Sequence, residues 1–289
     1  MSKTHSRQVK TERTAPIELE VLATRRVSPS FVRVTVGGGE IDRFTPRGYD
    51  QWFRLFLPPE GADEVRLPDR DGYLGYAQLL RTPKAVRPTM RNYTVREFRA
   101  ATADRGAELD IDFVLHERPE TGELEGVAAA WAAGCRAGDR IGLLDEGYGF
   151  DASDEAAWFL LVADETGLPA VAGICASLPA DARGVALVEV PHVDDVQQFP
   201  TPAGVVVHWV VREHGARAGA DAYAAASALE FPGDIACHAY AVGESGLATG
   251  IRRLLVNERG WAKSDVSFCG YWRLPKAAPA VESRQLIGA

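Results

Sequence analysis

Apolar and polar residues alternate in short runs along the first half of the chain. These runs are rich in Val, Phe and Tyr, and clusters of Gly, Pro and Asp separate them. They are IELEVLATRRV (17–27), SFVRVTV (30–36), QWFRLFLP (51–58), MRNYTVREF (90–98) and ELDIDFVLHE (108–117). The pattern is typical of antiparallel strands in a barrel or a sandwich. One alanine-rich segment, GVAAAWAAGC (126–135), predicts a short helix that begins after Gly126 and ends near Gly134.

The pattern changes after a polar, acidic stretch at 151–157. The run AAWFLLVA (156–163) is continuously apolar, as expected for a strand that is buried on both faces. Helix-like segments then alternate with strand-like runs: LPAVAGICASLP (168–179), GVALVEV (184–190), GVVVHWVV (204–211), DAYAAASALEF (221–231), CHAYAVG (237–243), LATGIRRLLVNERG (247–260) and DVSFCGYW (265–272). This alternation predicts a parallel sheet with right-handed crossovers, which binds ligands at the carboxyl ends of its strands.

The sequence therefore predicts two domains in 289 residues. We expect an antiparallel β-barrel over 16–150 and a parallel-sheet α/β domain over 157–273. Residues 1–15 are polar and basic and read as a flexible tail, and the Pro- and Ala-rich stretch 274–289 reads as a second tail. A barrel followed by such a domain is the plan of a reductase that uses a flavin and a nicotinamide cofactor, although two unrelated binding modules would give the same pattern.

Composition and charge exclude several classes of protein. The formal net charge of −8 argues against a general nucleic-acid binder. No apolar run approaches the ~18–20 residues that cross a bilayer, and the first residues lack a secretory signal, so we expect a cytoplasmic protein without a membrane span. The four cysteines are widely spaced and form no C-x-x-C pair, so we expect no zinc site, no iron–sulfur cluster and no resident metal.

The segment Arg91-Asn92-Tyr93-Thr94-Val95-Arg96, on a predicted strand, carries the most chemistry. Alternation puts Arg91 and Tyr93 on one face and Asn92 and Thr94 on the other. A guanidinium can bond two oxygens of a pyrophosphate, and a tyrosine ring can stack on a flavin. The hydroxyl or amide of Thr94 can bond the flavin N5 region, which makes Thr94 the candidate catalytic residue. Taken alone, the hexapeptide could also be a plain amphipathic strand with surface arginines.

The hexapeptide resembles the R-x-Y-[ST]-x-R flavin signature of ferredoxin–NADP reductase-like proteins. Other stretches narrow the resemblance to the siderophore-interacting protein family of ferric-siderophore reductases. They are DFVLH (112–116) with G-x-A-x-x-W-A (126–132), ADETGLPA (163–170), and VGESG (242–246) with GYWR (270–273). The match runs from about Pro16 to Arg273 in the family's order. Asn92 stands where Thr is frequent, and Val127 where Pro is frequent.

The resemblance implies FAD in the first domain. The residues that it assigns to FAD are Arg91, Asn92, Tyr93, Thr94, Asp112, Val114, His116, Gly126, Val127, Ala128, Ala129 and Trp131. We expect Val114 to His116 to continue a strand along the flavin. The N terminus of the helix after Gly126 suits the pyrophosphate, because its free N–H groups and dipole attract anions. A structural histidine and a packed core tryptophan are the alternatives for His116 and Trp131.

The resemblance also implies NADH or NADPH in the second domain. The residues that it assigns there are Asp164, Glu165, Thr166, Gly167, Pro169, Gly243 and Glu244. The ordinary G-x-G-x-x-G fingerprint is absent from this turn, and a solvated acidic turn with a threonine cap is the alternative. Tyr271 and Trp272 are expected near the flavin, with a core aromatic pair as the alternative.

The sequence says least about the electron donor and the electron acceptor. Glu189, Asp194 and Asp195 follow a predicted strand and would suit the ribose of NADH, whereas Arg212 could reach the phosphate of NADPH; we favour NADH. Ferric siderophores are usually anionic, so Arg54 and Arg273 are candidates to bind the substrate.

The resemblance implies an enzyme that passes electrons from NAD(P)H through FAD to an iron(III)–siderophore, so that iron(II) is released. The alternatives are a flavin reductase with another acceptor, one that takes electrons from ferredoxin, and a non-catalytic siderophore- or flavin-binding carrier. We expect a monomer.

Overall fold

The computed structural model describes residues 15–62, 64–70, 72–118, 121–233 and 235–274. The predicted tail over 1–15 lies almost wholly outside these residues, and so does the tail over 274–289. All described structure belongs to two sheets and the helices that pack on them.

The first sheet is antiparallel and has seven strands in the order β4-β3-β7-β1-β2-β6-β5. They are β1 (Ile17–Ser28), β2 (Phe31–Gly37), β3 (Trp52–Leu57), β4 (Thr89–Thr94), β5 (Glu97–Arg99), β6 (Glu108–Val114) and β7 (Arg140–Gly147). Its edge strands β4 and β5 follow each other in the chain, and the Arg96 amide between them donates to the Asp110 carbonyl on β6. The sheet therefore curls into the predicted barrel, around a core that includes Leu19, Val34, Leu55, Ile111 and Phe113.

Local details of the barrel differ from the sequence pattern. The run 90–98 divides into β4 and β5, and the run 108–117 ends as a strand at Val114, so His116 lies in the loop beyond. Helix α1 (Gly72–Arg81), between β3 and β4, was not predicted, because only Gly75 and Leu79 of its residues are buried and its apolar stripe is weak. Helix α2 (Val127–Gly134) begins after Gly126 as predicted and ends at Gly134.

The second sheet is parallel and has five strands in the order β10-β9-β8-β11-β12. They are β8 (Trp158–Ala163), β9 (Arg183–Val190), β10 (Gly204–Val211), β11 (Cys237–Glu244) and β12 (Val266–Trp272). Its helices are α3 (Leu168–Ser177), α4 (Ala220–Ser227) and α5 (Ser245–Arg253), the last continuing into a π-helical turn, Leu254–Glu258. One core lies under α3 and a second under α4 and α5, which confirms the predicted α/β architecture.

The two sheets meet through buried contacts. Phe31 on β2 is fully buried in the core under α3. The carboxylate of Asp195, after β9, accepts hydrogen bonds from the Ser28 hydroxyl (2.6 Å), the Ser30 amide (2.8 Å) and the Ser30 hydroxyl (2.7 Å). The Tyr49 amide donates to the Ser177 hydroxyl on α3 (2.7 Å). In the described part of the chain, no helix is both long and apolar enough to cross a membrane.

Candidate functional site

A cavity of about 600 Å³ opens where the barrel faces the carboxyl ends of the parallel strands. The barrel side contributes Asp50, Trp52, Arg91, Asn92, Tyr93, Thr94, Asp112, Val114, His116, Glu125, Gly126, Val127, Ala128, Ala129 and Gly149. The parallel sheet contributes Thr166, Pro169, Tyr240, Phe268, Cys269, Gly270, Tyr271 and Trp272. Most residues that the sequence assigned to FAD therefore line one cavity, and four of the assigned residues of the second domain (Thr166, Pro169, Tyr271 and Trp272) line it as well.

Four consecutive residues of β4 line the cavity: Arg91, Asn92, Tyr93 and Thr94. The Tyr93 ring packs on Phe113 of the barrel core, with centroids 4.4 Å apart, and burial raises the pKa of its hydroxyl well above the ordinary value. Arg91 and Asn92 are exposed, whereas Thr94 is buried. Strand β4 is an edge strand of its sheet, and residues from both of its faces border the cavity.

The N terminus of α2 forms another wall. Gly126 has φ +88°, which favours glycine, and a Cβ added there would meet no atom within 4 Å. No side chain among the described residues caps this helix, and Val127, Ala128 and Ala129 border the cavity. The first N–H groups of α2 are therefore available to an anion.

Asp112 and His116 contribute differently to this wall. The Asp112 carboxylate accepts two hydrogen bonds from the Arg33 guanidinium (2.6 and 2.8 Å) and lies 3.3 Å from Arg96, so its role is to hold arginines beside the barrel. Burial lowers the pKa of His116, whose ring centroid lies 6.0 Å from that of Trp272. An uncharged imidazole thus approaches the indole from across the cavity.

The turn after β8 is organised around the buried carboxylate of Asp164. It accepts hydrogen bonds from the Thr166 amide (2.9 Å) and hydroxyl (2.5 Å), the Glu244 amide (2.6 Å) and the Trp272 indole N–H (2.9 Å). Burial raises the pKa of Asp164. Gly243, with φ +114°, is required here because a Cβ would lie 2.5 Å from this carboxylate. Asp164 and Gly243 hold Trp272 in the cavity wall and do not themselves line the cavity.

Three further predicted contacts of the nicotinamide cofactor are structural. Glu165 is fully buried and pairs with Arg212; burial, followed by the nearby Asp164, raises the pKa of Glu165 to about 7. A Cβ on Gly167 would lie 2.6 Å from Val242, so that glycine permits close packing. The Glu244 carboxylate caps α5 by accepting from the Gly246 amide (2.5 Å). Only Thr166 and Pro169 of this turn reach the cavity.

Two of the three carboxylates on which the NADH preference was based, Glu189 and Asp195, do not face a ribose, so the interpretation was wrong for these two, whereas Asp194 is exposed. Glu189 is fully buried; it pairs with Arg212 (2.6 Å) and accepts from the Gly219 and Ala222 amides at the start of α4. Asp195 is buried among the barrel serines. A sequence pattern could not separate these roles, because the partners lie on other elements.

Three predicted residues lie away from the cavity. Trp131 packs on Phe113, with centroids 5.8 Å apart, as in its alternative reading as a core residue. Arg54 pairs with Glu146 (2.7 Å) and lines a small cleft beside α1. Arg273 is exposed directly after Trp272.

Sequence reasoning missed a buried group at the centre of the site. The Asp50 carboxylate accepts from the Gly149 amide (3.0 Å), the Phe150 amide (2.8 Å) and the Tyr240 hydroxyl (2.7 Å). The remaining unpredicted wall residues are Trp52, Glu125, Phe268, Cys269 and Gly270. Gly270 begins the GYWR stretch, whereas the other four belong to no motif found in the sequence, and the fold brings them together.

The two-domain fold is similar to that of the ferredoxin–NADP+ reductase from Plasmodium falciparum, which is 11% identical with a TM-score of 0.60 and covers 89% of this chain and 96% of that chain. The siderophore-interacting FAD-binding domain model matches residues 20–148, and the siderophore-interacting protein model matches residues 156–275. The chain belongs to the siderophore-interacting protein family, and it is a flavoprotein oxidoreductase.

Relatives match nearly the whole chain. An uncharacterized protein of Mycobacterium tuberculosis is 37% identical over 88% of this chain and 89% of its own. The ferric vibriobactin reductase ViuB of Vibrio cholerae is 27% identical over 96% of each chain. The crystal structure of a siderophore utilization protein from T. fusca is 33% identical and has a TM-score of 0.73, covering 92% of this chain and 98% of that chain.

The residues present fit FAD. The uncapped start of α2 presents N–H groups to the cavity, and the helix residues that border the cavity there, Val127, Ala128 and Ala129, are small and uncharged, so a pyrophosphate can approach. Arg91 adds a guanidinium at the same cavity, and Tyr93, Tyr271 and Trp272 add aromatic rings. This chemistry matches a ligand with an anionic centre and flat aromatic ends.

Proposed function

We propose that the protein is an FAD-dependent ferric-siderophore reductase that takes electrons from NAD(P)H and releases iron(II). The observation that carries this proposal is the shared cavity: the uncapped start of α2 and the Arg91–Thr94 segment lie opposite Thr166, Tyr271 and Trp272 at the ends of the parallel strands. FAD, when bound, accepts a hydride and gives up its electrons one at a time.

In this proposal the two domains divide the binding work. The α2 amides and Arg91 hold the pyrophosphate, Tyr93 contacts the flavin ring, and Thr94 lies at the N5 region. Thr166 and Pro169 border the space for the nicotinamide. Domain limits of 16–150 for FAD and 157–273 for the nicotinamide cofactor belong to the same proposal.

NADH is the proposed electron donor, and the reason is the pairing of Arg212. Arg212 is the arginine at the carboxyl end of β10 that could meet a 2′-phosphate. Its guanidinium is already paired with Glu165 and with Glu189, and both carboxylates are fully buried. A 2′-phosphate would therefore meet a neutralised arginine, which favours a donor without that group.

The proposed acceptor is an anionic ferric siderophore, and the similarity of the chain to the ferric vibriobactin reductase ViuB supports this choice. Iron(II) binds hard oxygen ligands less tightly than iron(III), so reduction releases the metal without any protein ligand. Arg273, exposed beside Trp272, is the proposed contact with the chelate. Arg54 is left out of this proposal because it pairs with Glu146.

Anaerobic stopped-flow absorbance tests the proposal. The FAD-loaded protein is mixed with NADH or NADPH and then with a panel of ferric siderophores. We expect bleaching that is faster with NADH and recovery when the ferric chelate is added. A yellow protein that neither nucleotide bleaches would point to ferredoxin as donor or to a carrier. Recovery only with other oxidants would indicate another acceptor, and a protein that binds no FAD would refute the proposal.

A further inference from the structure

Four polar side chains lie in a row in the cavity wall, and hydrogen bonds join three of them. The Tyr240 hydroxyl lies 2.7 Å from Asp50 Oδ2 and 2.9 Å from the Tyr271 hydroxyl. The Tyr271 hydroxyl is in turn close enough to the Thr94 side chain to interact with it, and both residues line the cavity. Asp50 and Thr94 belong to the barrel, whereas Tyr240 and Tyr271 lie on β11 and β12 of the parallel sheet. The chain therefore runs from the barrel into the second domain and back.

The Asp50 end of this chain is a buried carboxyl whose recorded partners are all uncharged. They are two backbone amides, those of Gly149 and Phe150, and one phenol, that of Tyr240. From β12, the Tyr271 hydroxyl and the Cys269 thiol also face it. Burial raises the pKa of Asp50, although its hydrogen bonds favour the ionised form. A carboxyl in such surroundings can hold a proton.

The protonation state of Asp50 fixes the direction of every bond in the chain, because each hydroxyl has only one proton to donate. When Asp50 is ionised, Tyr240 donates to it, Tyr271 donates to Tyr240 and Thr94 donates to Tyr271. Thr94 Oγ1 then offers only lone pairs to the cavity. When Asp50 is protonated, its O–H donates to Tyr240, the directions reverse, and the Thr94 hydroxyl can donate into the cavity.

We propose that Thr94, Tyr271, Tyr240 and Asp50 form a proton relay between the cavity and a proton store at Asp50. Thr94 Oγ1 accepts a proton from an N–H group in the cavity and passes its own to Tyr271, which passes one to Tyr240, which passes one to Asp50 Oδ2. The N–H bond in the cavity breaks and an O–H bond forms at Asp50, while each of the three hydroxyls loses one O–H bond and gains another; no electron moves along the chain.

The relay rests on the proposed function, which leaves one proton in the cavity per turnover. A hydride carries two electrons and one proton, and two iron(III) ions accept only the electrons. The remaining proton needs an acceptor in a wall where Thr94 is buried. Asp50, itself only 4% exposed, is the carboxyl that this chain of hydroxyls reaches.

Infrared difference spectroscopy between the oxidised and the dithionite-reduced FAD-loaded protein tests the relay without NADH or a siderophore. We expect the wild type to show a carboxyl C=O band in one redox state and not in the other. Asp50→Asn should lose this band. Tyr240→Phe and Tyr271→Phe, which remove one hydroxyl each, should also lose the redox-linked change. Tyr223→Phe, a partly buried tyrosine under α5 and outside the cavity, should keep it.

A kinetic arm uses the recovery step with the ferric chelate. Tyr240→Phe should slow it by roughly 100-fold and remove its solvent deuterium isotope effect, as expected when a proton path is broken. A redox difference spectrum without an Asp50 band, or one that is unchanged in Tyr240→Phe, would overturn the relay. Failure of NADH or the siderophore to react would instead overturn only the proposed function, since dithionite still drives the infrared test.

Discussion

Helices begin on opposite sides of the cavity, and their starts are built in opposite ways. On the barrel side, α2 begins at Gly126 with no side-chain cap. On the other side, Asp164 caps the turn that leads into α3, and Glu244 caps α5. A glycine lies on both sides, but only on the second side does a carboxylate accept from the first N–H groups of a turn or helix. The difference shows that acidic residues at such a turn can satisfy the helix themselves.

The largest effect is expected from removing the Asp164 carboxylate. Asp164→Ala leaves the Glu244 amide, the Thr166 amide and the Trp272 indole without their acceptor. Each buried donor left unpaired costs about 1–3 kcal/mol, so we expect the free energy of unfolding to fall by at least about 3 kcal/mol. Urea denaturation measures the loss.

The matched control is Asp194→Ala, because the Asp194 side chain is 71% exposed. It should change the free energy of unfolding by less than about 0.5 kcal/mol. Equal free energies of unfolding for the two variants would show that Asp164 does not stabilise the turn, and its sequence-based assignment as a cofactor contact would then stand.

An intermediate effect is expected from closing the open helix start. Gly126→Asp supplies a carboxylate that can cap α2 and repel a phosphate. We expect the Kd for FAD to rise about 10- to 100-fold, which corresponds to about 1.4–2.7 kcal/mol. Fluorescence titration of the FAD-free protein gives the Kd.

Gly138→Asp is the control for backbone strain. Gly138 has φ +94°, and a Cβ there also meets no atom within 4 Å, but it does not line the cavity. Its FAD affinity should stay at the wild-type value. If both variants weaken FAD equally, the α2 start is not the phosphate site.

A third effect, which depends on pH, is expected from the titration of Glu165. Its pKa in the folded protein is raised from 4.5 to about 7. Between these values the folded state holds a proton that the unfolded state has lost, so stability falls as the pH rises through this window. From about pH 5 to about pH 8 we expect a loss on the order of 2 kcal/mol.

Glu165→Gln keeps the shape of the side chain and removes the titration. Its free energy of unfolding, from the same urea series, should vary less with pH than that of the wild type. Parallel pH profiles of the two proteins would rule out Glu165 as the titrating group.

The sequence was informative wherever the signal is local. The alternating runs predicted the barrel, the buried apolar runs predicted the parallel sheet, and Gly126 predicted the start of α2. The cavity-lining segment Arg91–Thr94 was found for the same reason, since its four residues are consecutive on one strand.

The rest depends on residues that are far apart in the chain. Whether Asp164 faces a ligand or caps a turn is decided by Gly243 and Trp272, which belong to later strands. The Asp50 carboxylate accepts a hydrogen bond from Tyr240, which is 190 residues away in the chain. Arg54 lies on β3 as the alternating pattern predicted. Its guanidinium, however, pairs with Glu146 on the neighbouring strand β7 instead of facing a substrate. Neither hydrophobic periodicity nor a local sequence motif reveals these partners.

The seam between the two sheets has a consequence for how the protein denatures. The side chain of Phe31, on barrel strand β2, packs in the core under α3. The carboxylate of Asp195, after β9 of the parallel sheet, accepts hydrogen bonds from Ser28 and Ser30 of the barrel. Neither half can lose its structure without exposing apolar surface or unpaired polar groups of the other. The two domains are therefore expected to melt in one cooperative transition, and neither sheet excised from the chain would keep the stability that it has in the whole molecule.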